Sequence, residues 1–161
     1  MTARFFSDES GPSGPALTDE MVSRAEDSLG VRLPRSYLAL LHERNGGIPV
    51  RRCFPMKRPT SWASDHIQVS TLLGIGFEEG IDGELGSRYL IQEWGYPDVG
   101  VVIFDMPSGG HDTVMLDYSD CGSHGEPRVV YVDEDRIPVF VAATFEEFVE
   151  ALVDCSRFGA S

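Results

Sequence analysis

The chain predicts a single α+β domain, and three observations carry that expectation. Apolar residues recur at helical spacing near both ends. Between residues 99 and 142 the apolar residues instead form strand-length runs. The 161 residues contain no internal repeat or interdomain linker, and that length buries one core without disulfide or metal support. A hydrophobic share of 42% and a charged share of 24% are ordinary for such a domain.

Residues 1–16 are rich in Ser, Gly and Pro and read as a flexible tail or extended arm ahead of a domain spanning 17–161. Thr18 is placed to cap a first helix, with Asp19 and Glu20 near the positive end of its dipole. Met21, Val22, Ala25 and Leu29 follow at helical spacing, and Gly30 ends the run. Pro34 suits the first position of a second helix, where its missing N–H has no partner to lose. Tyr37, Leu38, Leu40 and Leu41 form its buried stripe, and Asn45-Gly46-Gly47 tolerate the left-handed conformation that stops it. Three prolines break residues 48–59 into a loop with one short strand, and residues 66–69 alternate as a further strand. The glycine-rich segment 72–86, carrying Glu78, Glu79, Asp82 and Glu84, predicts an irregular surface loop. Leu85, Tyr89, Leu90 and Trp94 outline a short helix that Gly95 and Pro97 terminate.

The centre of the fold is expected at residues 94–118. Residues 99–104 are apolar on both faces, as in an interior strand, and 107–110 make a turn. Residues 113–118 alternate. Residues 128–133 and 138–142 add two strands around the acidic turn Asp133-Glu134-Asp135. Thr144 and Glu147 form a capping box, worth roughly 1 kcal/mol, ahead of the stripe Phe145, Phe148, Val149 and Leu152.

The net charge of −13 is unevenly distributed. Residues 1–58 balance at +2, residues 59–127 at −11 with Arg88 as their one basic residue, and residues 128–161 at −4. Such a field repels nucleic acid and anionic membrane and accelerates encounter with a basic partner. No apolar h-region follows Arg4 and no apolar run reaches membrane-spanning length, so a cytoplasmic protein is expected. Cys53, Cys121 and Cys155 are odd in number and widely spaced, which predicts no disulfide framework and agrees with a reducing compartment.

Four sets of residues could carry chemistry. Ser108, His111 and Asp112 adjoin a turn, but neighbours in a hairpin rarely give a base within reach of a nucleophile, and no nucleophile elbow is present. Cys121 and His124, near Asp117 and Asp120, lack the second ligand pair a structural zinc needs. Gly74 and Gly76 do not match a phosphate-binding fingerprint, and Glu78 and Glu79 would repel phosphate. The basic residues between Arg51 and Arg58 make a short cluster that reads as a solvated loop or one paired with the protein's own acids. No catalytic residue, metal or cofactor is assigned. Trp94 and Tyr96 suit either core or interface, and partial burial is expected.

Leu33-Pro34 with Tyr37, Asn45-Gly46-Gly47, Glu93-Trp94-Gly95, Val102-Ile103-Phe104-Asp105, Gly109-Gly110, Val130-Tyr131 and Phe145-Glu146-Glu147-Phe148 occur in that order between residues 17 and 152. This set resembles the SUKH superfamily, in its Smi/Knr-like branch that includes the yeast cell-wall synthesis regulator. The resemblance implies a central, mostly antiparallel sheet with helices packed against it. It also implies no catalysis and a role in binding protein, many bacterial members being immunity proteins that neutralise a cognate toxin, often a nuclease. The alternative it leaves is a regulatory scaffold for endogenous cytosolic proteins. Pro34, Asn45, Gly46, Gly47 and Trp94 are then structural. The candidate residues for a basic toxin domain are Phe77, Glu78, Glu79, Asp82, Glu84, Tyr96, Asp117, Asp120, Asp133, Glu134 and Asp135, with Phe77 or Tyr96 as apolar anchor. No nucleic acid or membrane is expected as a direct partner.

Overall fold

The computed structural model describes residues 4–9 and 11–158. Thr18 caps α1 (Asp19–Leu29) by accepting from the Met21 amide at 3.2 Å, and Gly30 ends it in the left-handed conformation. Pro34 occupies the cap position of α2 (Arg35–Glu43), one residue earlier than its expected place in the first turn. After the two-stranded pair β1 (Cys53–Pro55) and β2 (His66–Gln68) comes a five-stranded antiparallel sheet in sequential order. Its members are β3 (Thr71–Leu72), β4 (Gly100–Asp105), β5 (Thr113–Asp117), β6 (Arg128–Val132) and β7 (Pro138–Ala142). Helix α3 (Ser87–Trp94) lies between β3 and β4 in the chain, and α4 (Phe145–Ala151) follows β7. The α+β class with a central antiparallel sheet is therefore the observed one.

Strands β4, β5 and β6 are the interior of the sheet, which is why Val101–Phe104, Val114–Leu116 and Val129–Val132 are buried on both faces. Against β4 sits the apolar stripe of α4. Phe148 stacks on Phe54 of β1 with ring centroids 4.7 Å apart and meets Phe104 at 5.6 Å, while Phe145 meets Tyr37 of α2 edge-on at 5.5 Å. Full burial of each such ring contributes about 1.5–3 kcal/mol. The Thr144 cap forms as expected, its hydroxyl accepting from the Glu147 amide at 3.1 Å.

The turn after α2 does more than stop a helix. Asn45 is 3% exposed. Its Nδ2 donates to the carbonyls of Ile75 at 2.7 Å and Pro15 at 2.9 Å, and its Oδ1 accepts the Ile75 amide at 2.8 Å. The Asn45 carbonyl accepts the Gly14 amide at 2.8 Å, and Gly47 exchanges two backbone bonds with Leu72 of β3. One amide side chain thus pairs with Ile75 as a neighbouring strand would and holds three stretches of chain together. Gly74 has to be glycine for this approach, since a Cβ there would stand 2.4 Å from the Asn45 carbonyl oxygen. The arm ahead of α1 lies against the same corner: the Ser7 amide donates to Ile48 and the Val50 amide to Phe5, burying Phe6. Residues 1–3 and 10 of the expected tail fall outside the described residues.

The cysteine reading is corrected by the structure. Cys53 and Cys155 form a disulfide across a sequence separation of 102. Mutual backbone bonds between Cys53 and Val153 bring the carboxy-terminal segment alongside β1 and so set the two thiols face to face. No local spacing announces a pair so far apart. With this bond present, the cysteines no longer argue for a reducing compartment.

Two outcomes follow from these contacts. Asn45→Ala leaves the Ile75 amide and carbonyl without partners, and urea denaturation should show a loss of about 3 kcal/mol or more at roughly 1–3 kcal/mol per buried unsatisfied group. Reduction of Cys53–Cys155 should lower the unfolding free energy by roughly 2–4 kcal/mol, read as a lower urea midpoint with dithiothreitol than without.

Candidate protein-binding surface

The glycine-rich segment between β3 and α3 carries four of the nine acids predicted to meet a partner. It is not a loose surface loop. Ile75 and Ile81 are in the core, and the Leu73 amide bonds the Ile103 carbonyl of β4. The segment then folds on itself: the amides of Ile81, Leu85 and Ser87 donate to the carbonyls of Gly74, Glu78 and Ile81 at 2.8, 3.0 and 2.9 Å. The backbone approaches so closely that a Cβ on Gly83 would stand 2.1 Å from the Phe77 carbonyl oxygen. Glycine therefore serves compactness here.

On this frame Glu78, Glu79 and Glu84 are exposed. None of them takes part in an ion pair among the described residues. Asp82 is half-buried and accepts the Gly76 amide at 2.9 Å. Arg88, the one basic residue of the acidic stretch, donates to the Ser28 carbonyl at the end of α1. Phe77 is half-buried, its ring against Gly14 of the arm.

The remaining candidates divide sharply. Tyr96 is 5% exposed, and its hydroxyl donates to the Gly110 carbonyl at 2.7 Å while the Arg136 guanidinium stacks on its ring. Burial pushes this phenol up to about 12 against the neighbouring Arg136 charge, so it stays a neutral donor. Asp117 is 2% exposed and faces Arg128 across the β5–β6 ladder, their side chains 2.9 Å apart; Arg128 also pairs with the exposed Asp120 at 2.8 Å. Asp133 accepts from the Ser61 amide and hydroxyl. Tyr96, Asp117 and Asp133 are thus engaged inside the fold, while Glu134 and Asp135 remain exposed. The Trp94 side chain is exposed; its ring covers Gly110, and its carbonyl accepts from Arg136 at 2.9 Å.

Of the residues weighed for chemistry, Ser108 and Asp112 are tied into the fold. Ser108 donates to Asp112 Oδ1 at 2.5 Å and Tyr131 to Asp112 Oδ2 at 2.5 Å, so the serine is directed at a buried carboxylate and not at the exposed His111. Cys121 and His124 are exposed, and among the described residues no cluster of three His, Cys, Asp or Glu could hold a metal. Arg52 of the basic cluster pairs with Glu9 at 2.8 Å. A groove of about 780 Å³ between α2 and α4 mixes Arg4, Arg35 and Arg51 with Glu43, Glu146 and Glu150 and concentrates neither sign. Among the described residues no helix is long and apolar enough to cross a membrane.

Residues 16–151 match the model of the SMI1 / KNR4 family (SUKH-1). The chain belongs to this family. No curated protein and no solved structure matches it. SUKH-1 membership is consistent with a protein-binding, immunity-like role, and the family is in general non-catalytic. In this SUKH-1 domain the sign of the surface follows from the sequence, but which acids are free does not, because the register that sets Asp117 opposite Arg128 is a property of the sheet. The exposed apolar residues Leu85 and Tyr89 at the entry to α3 were also missed as surface features. The hydropathy that outlines α3 does not reveal that its inner side is Ser87, whose hydroxyl accepts the Val102 amide, with Leu90 and Ile91.

Asp117 gives a pH signature. Burial would raise its carboxyl, but bonds from the Ser119 hydroxyl and amide and from Arg128 outweigh it and hold the group below the usual carboxylate range. A depressed folded-state value stabilises fully above the unfolded value of about 3.9 and is lost as pH falls through the folded one. The stability gap between wild type and Asp117→Asn, from urea curves, should be constant above about pH 5 and close below about pH 4.

Proposed function

We propose that this SUKH-1 protein is a non-catalytic immunity protein that acts in the cytoplasm, binding a cognate toxin domain with a basic surface and blocking it. The observation that carries the reading is the set Glu78, Glu79 and Glu84: exposed, in no ion pair among the described residues, and carried on a folded loop in the most acidic stretch of the chain. A nuclease is basic where it grips phosphate. Carboxylates on such a loop compete for that surface and steer encounter at low ionic strength, and little backbone entropy is lost on docking because the loop is already folded.

Coexpression with the product of the adjoining gene tests this. Growth should be restored and the two proteins should co-purify as one tight complex. Absence of both rescue and co-purification would contradict the reading, and several weak partners in place of one tight one would favour a regulatory scaffold for endogenous cytosolic proteins.

A further inference from the structure

A stable interface buries about 800 Å² on each side and needs an apolar centre as well as a charged rim. Phe77 and Tyr96 do not supply that centre, the first lying against the arm and the second enclosed beneath Arg136. The exposed large apolar residues among those described are Val50, Leu85, Tyr89, Trp94, Ile137 and Phe140. Leu85 and Tyr89, 41% and 40% exposed, flank the entry to α3, Leu85 just before the Gly86 cap and Tyr89 in the first turn.

Their surroundings say what would cover them. The Leu85 amide bonds the Glu78 carbonyl, so the acidic loop borders Leu85 directly, and Glu84 precedes it in the chain. Glu93 is also exposed, one helical turn beyond Tyr89. Arg88, between the two apolar residues, is drawn to the Ser28 carbonyl and forms no ion pair with these carboxylates. The patch is therefore apolar at its centre and net anionic around it, with Arg88 as its one cation. An aromatic face beside carboxylates also suits a guanidinium or ammonium group.

We infer that residues 78–93 are the docking face, with Leu85 and Tyr89 as its apolar anchors, and that the occupant is a protein surface presenting Lys or Arg side chains around an apolar one. This inference rests on the immunity reading and names the face that performs it. A second acidic protein, including another copy of this chain, is disfavoured by the same charge. The patch differs from β7, where Ile137 and Phe140 are exposed but the edge begins at Pro138 and carries a register shift in its ladder with β6, features that discourage strand addition.

The test uses the full chain and the purified product of the adjoining gene. Leu85→Ser/Tyr89→Ser should weaken affinity about tenfold or more. Glu78→Gln/Glu79→Gln/Glu84→Gln should weaken it comparably and flatten its dependence on salt. Phe140→Ser and Glu146→Gln/Glu150→Gln, elsewhere on the surface, should stay within about twofold of wild type. Hydrogen exchange, which needs no variant to fold, should show the largest gain in protection of the wild-type complex over the free protein at residues 78–93. If wild type binds and protects cells but the face variants bind as wild type does, or protection falls elsewhere, the face is wrong and the immunity reading stands. If wild type neither binds nor protects, both are overturned.

Discussion

The side-chain amide of Asn45 is the constraint on which the rest of the structure leans. It satisfies both backbone groups of Ile75 and one carbonyl of the arm, and its own backbone carbonyl takes the Gly14 amide. Helix α2, the arm and the start of the acidic loop come from separate parts of the sequence, yet all are fixed at this point. A hydrophobic core alone would hold the elements in contact without fixing the path of the chain between β3 and α3, because apolar contact is not directional. The buried amide supplies the direction.

From that point the line to function is short. Ile75 and Ile81 enter the core, the backbone between them closes on itself, and the carboxylates of Glu78, Glu79 and Glu84 are left outside. The glycines that suggest flexibility in the sequence are where backbone meets backbone. The loop combines a fixed path with free charges, a combination that favours rapid, specific association. Elsewhere the same residue types do structural work: Asp117 and Asp133 stabilise the sheet and the 60–63 turn, and Asp112 receives bonds from Ser108 and Tyr131.

Much of the fold was legible because its signals are local. Thr18, Thr144 and the apolar stripes behind them define α1 and α4 within a few residues, and the doubly apolar β4 declares itself an interior strand. What could not be read depends on distance in the chain. Asn45 could be seen as a helix stop but not as the partner of a residue thirty positions on. Cys53 and Cys155 give no hint of one another. The candidate surface was legible in sign only: Asp117 and Tyr96 look like any other acid and aromatic until the β5–β6 register and the Arg136 contact enclose them, while Leu85 and Tyr89 look like core until Ser87 takes the inner side of α3.

The claim that the acidic surface is prebuilt and hung on Asn45 is tested most directly by amide hydrogen exchange on the free protein. The amides of Ile81, Leu85 and Ser87 should be strongly protected in the wild type, and in Asn45→Ala that protection should fall while β4–β6 remain slow. Exchange of the wild-type loop as fast as an unstructured peptide, or protection indifferent to Asn45, would contradict the account.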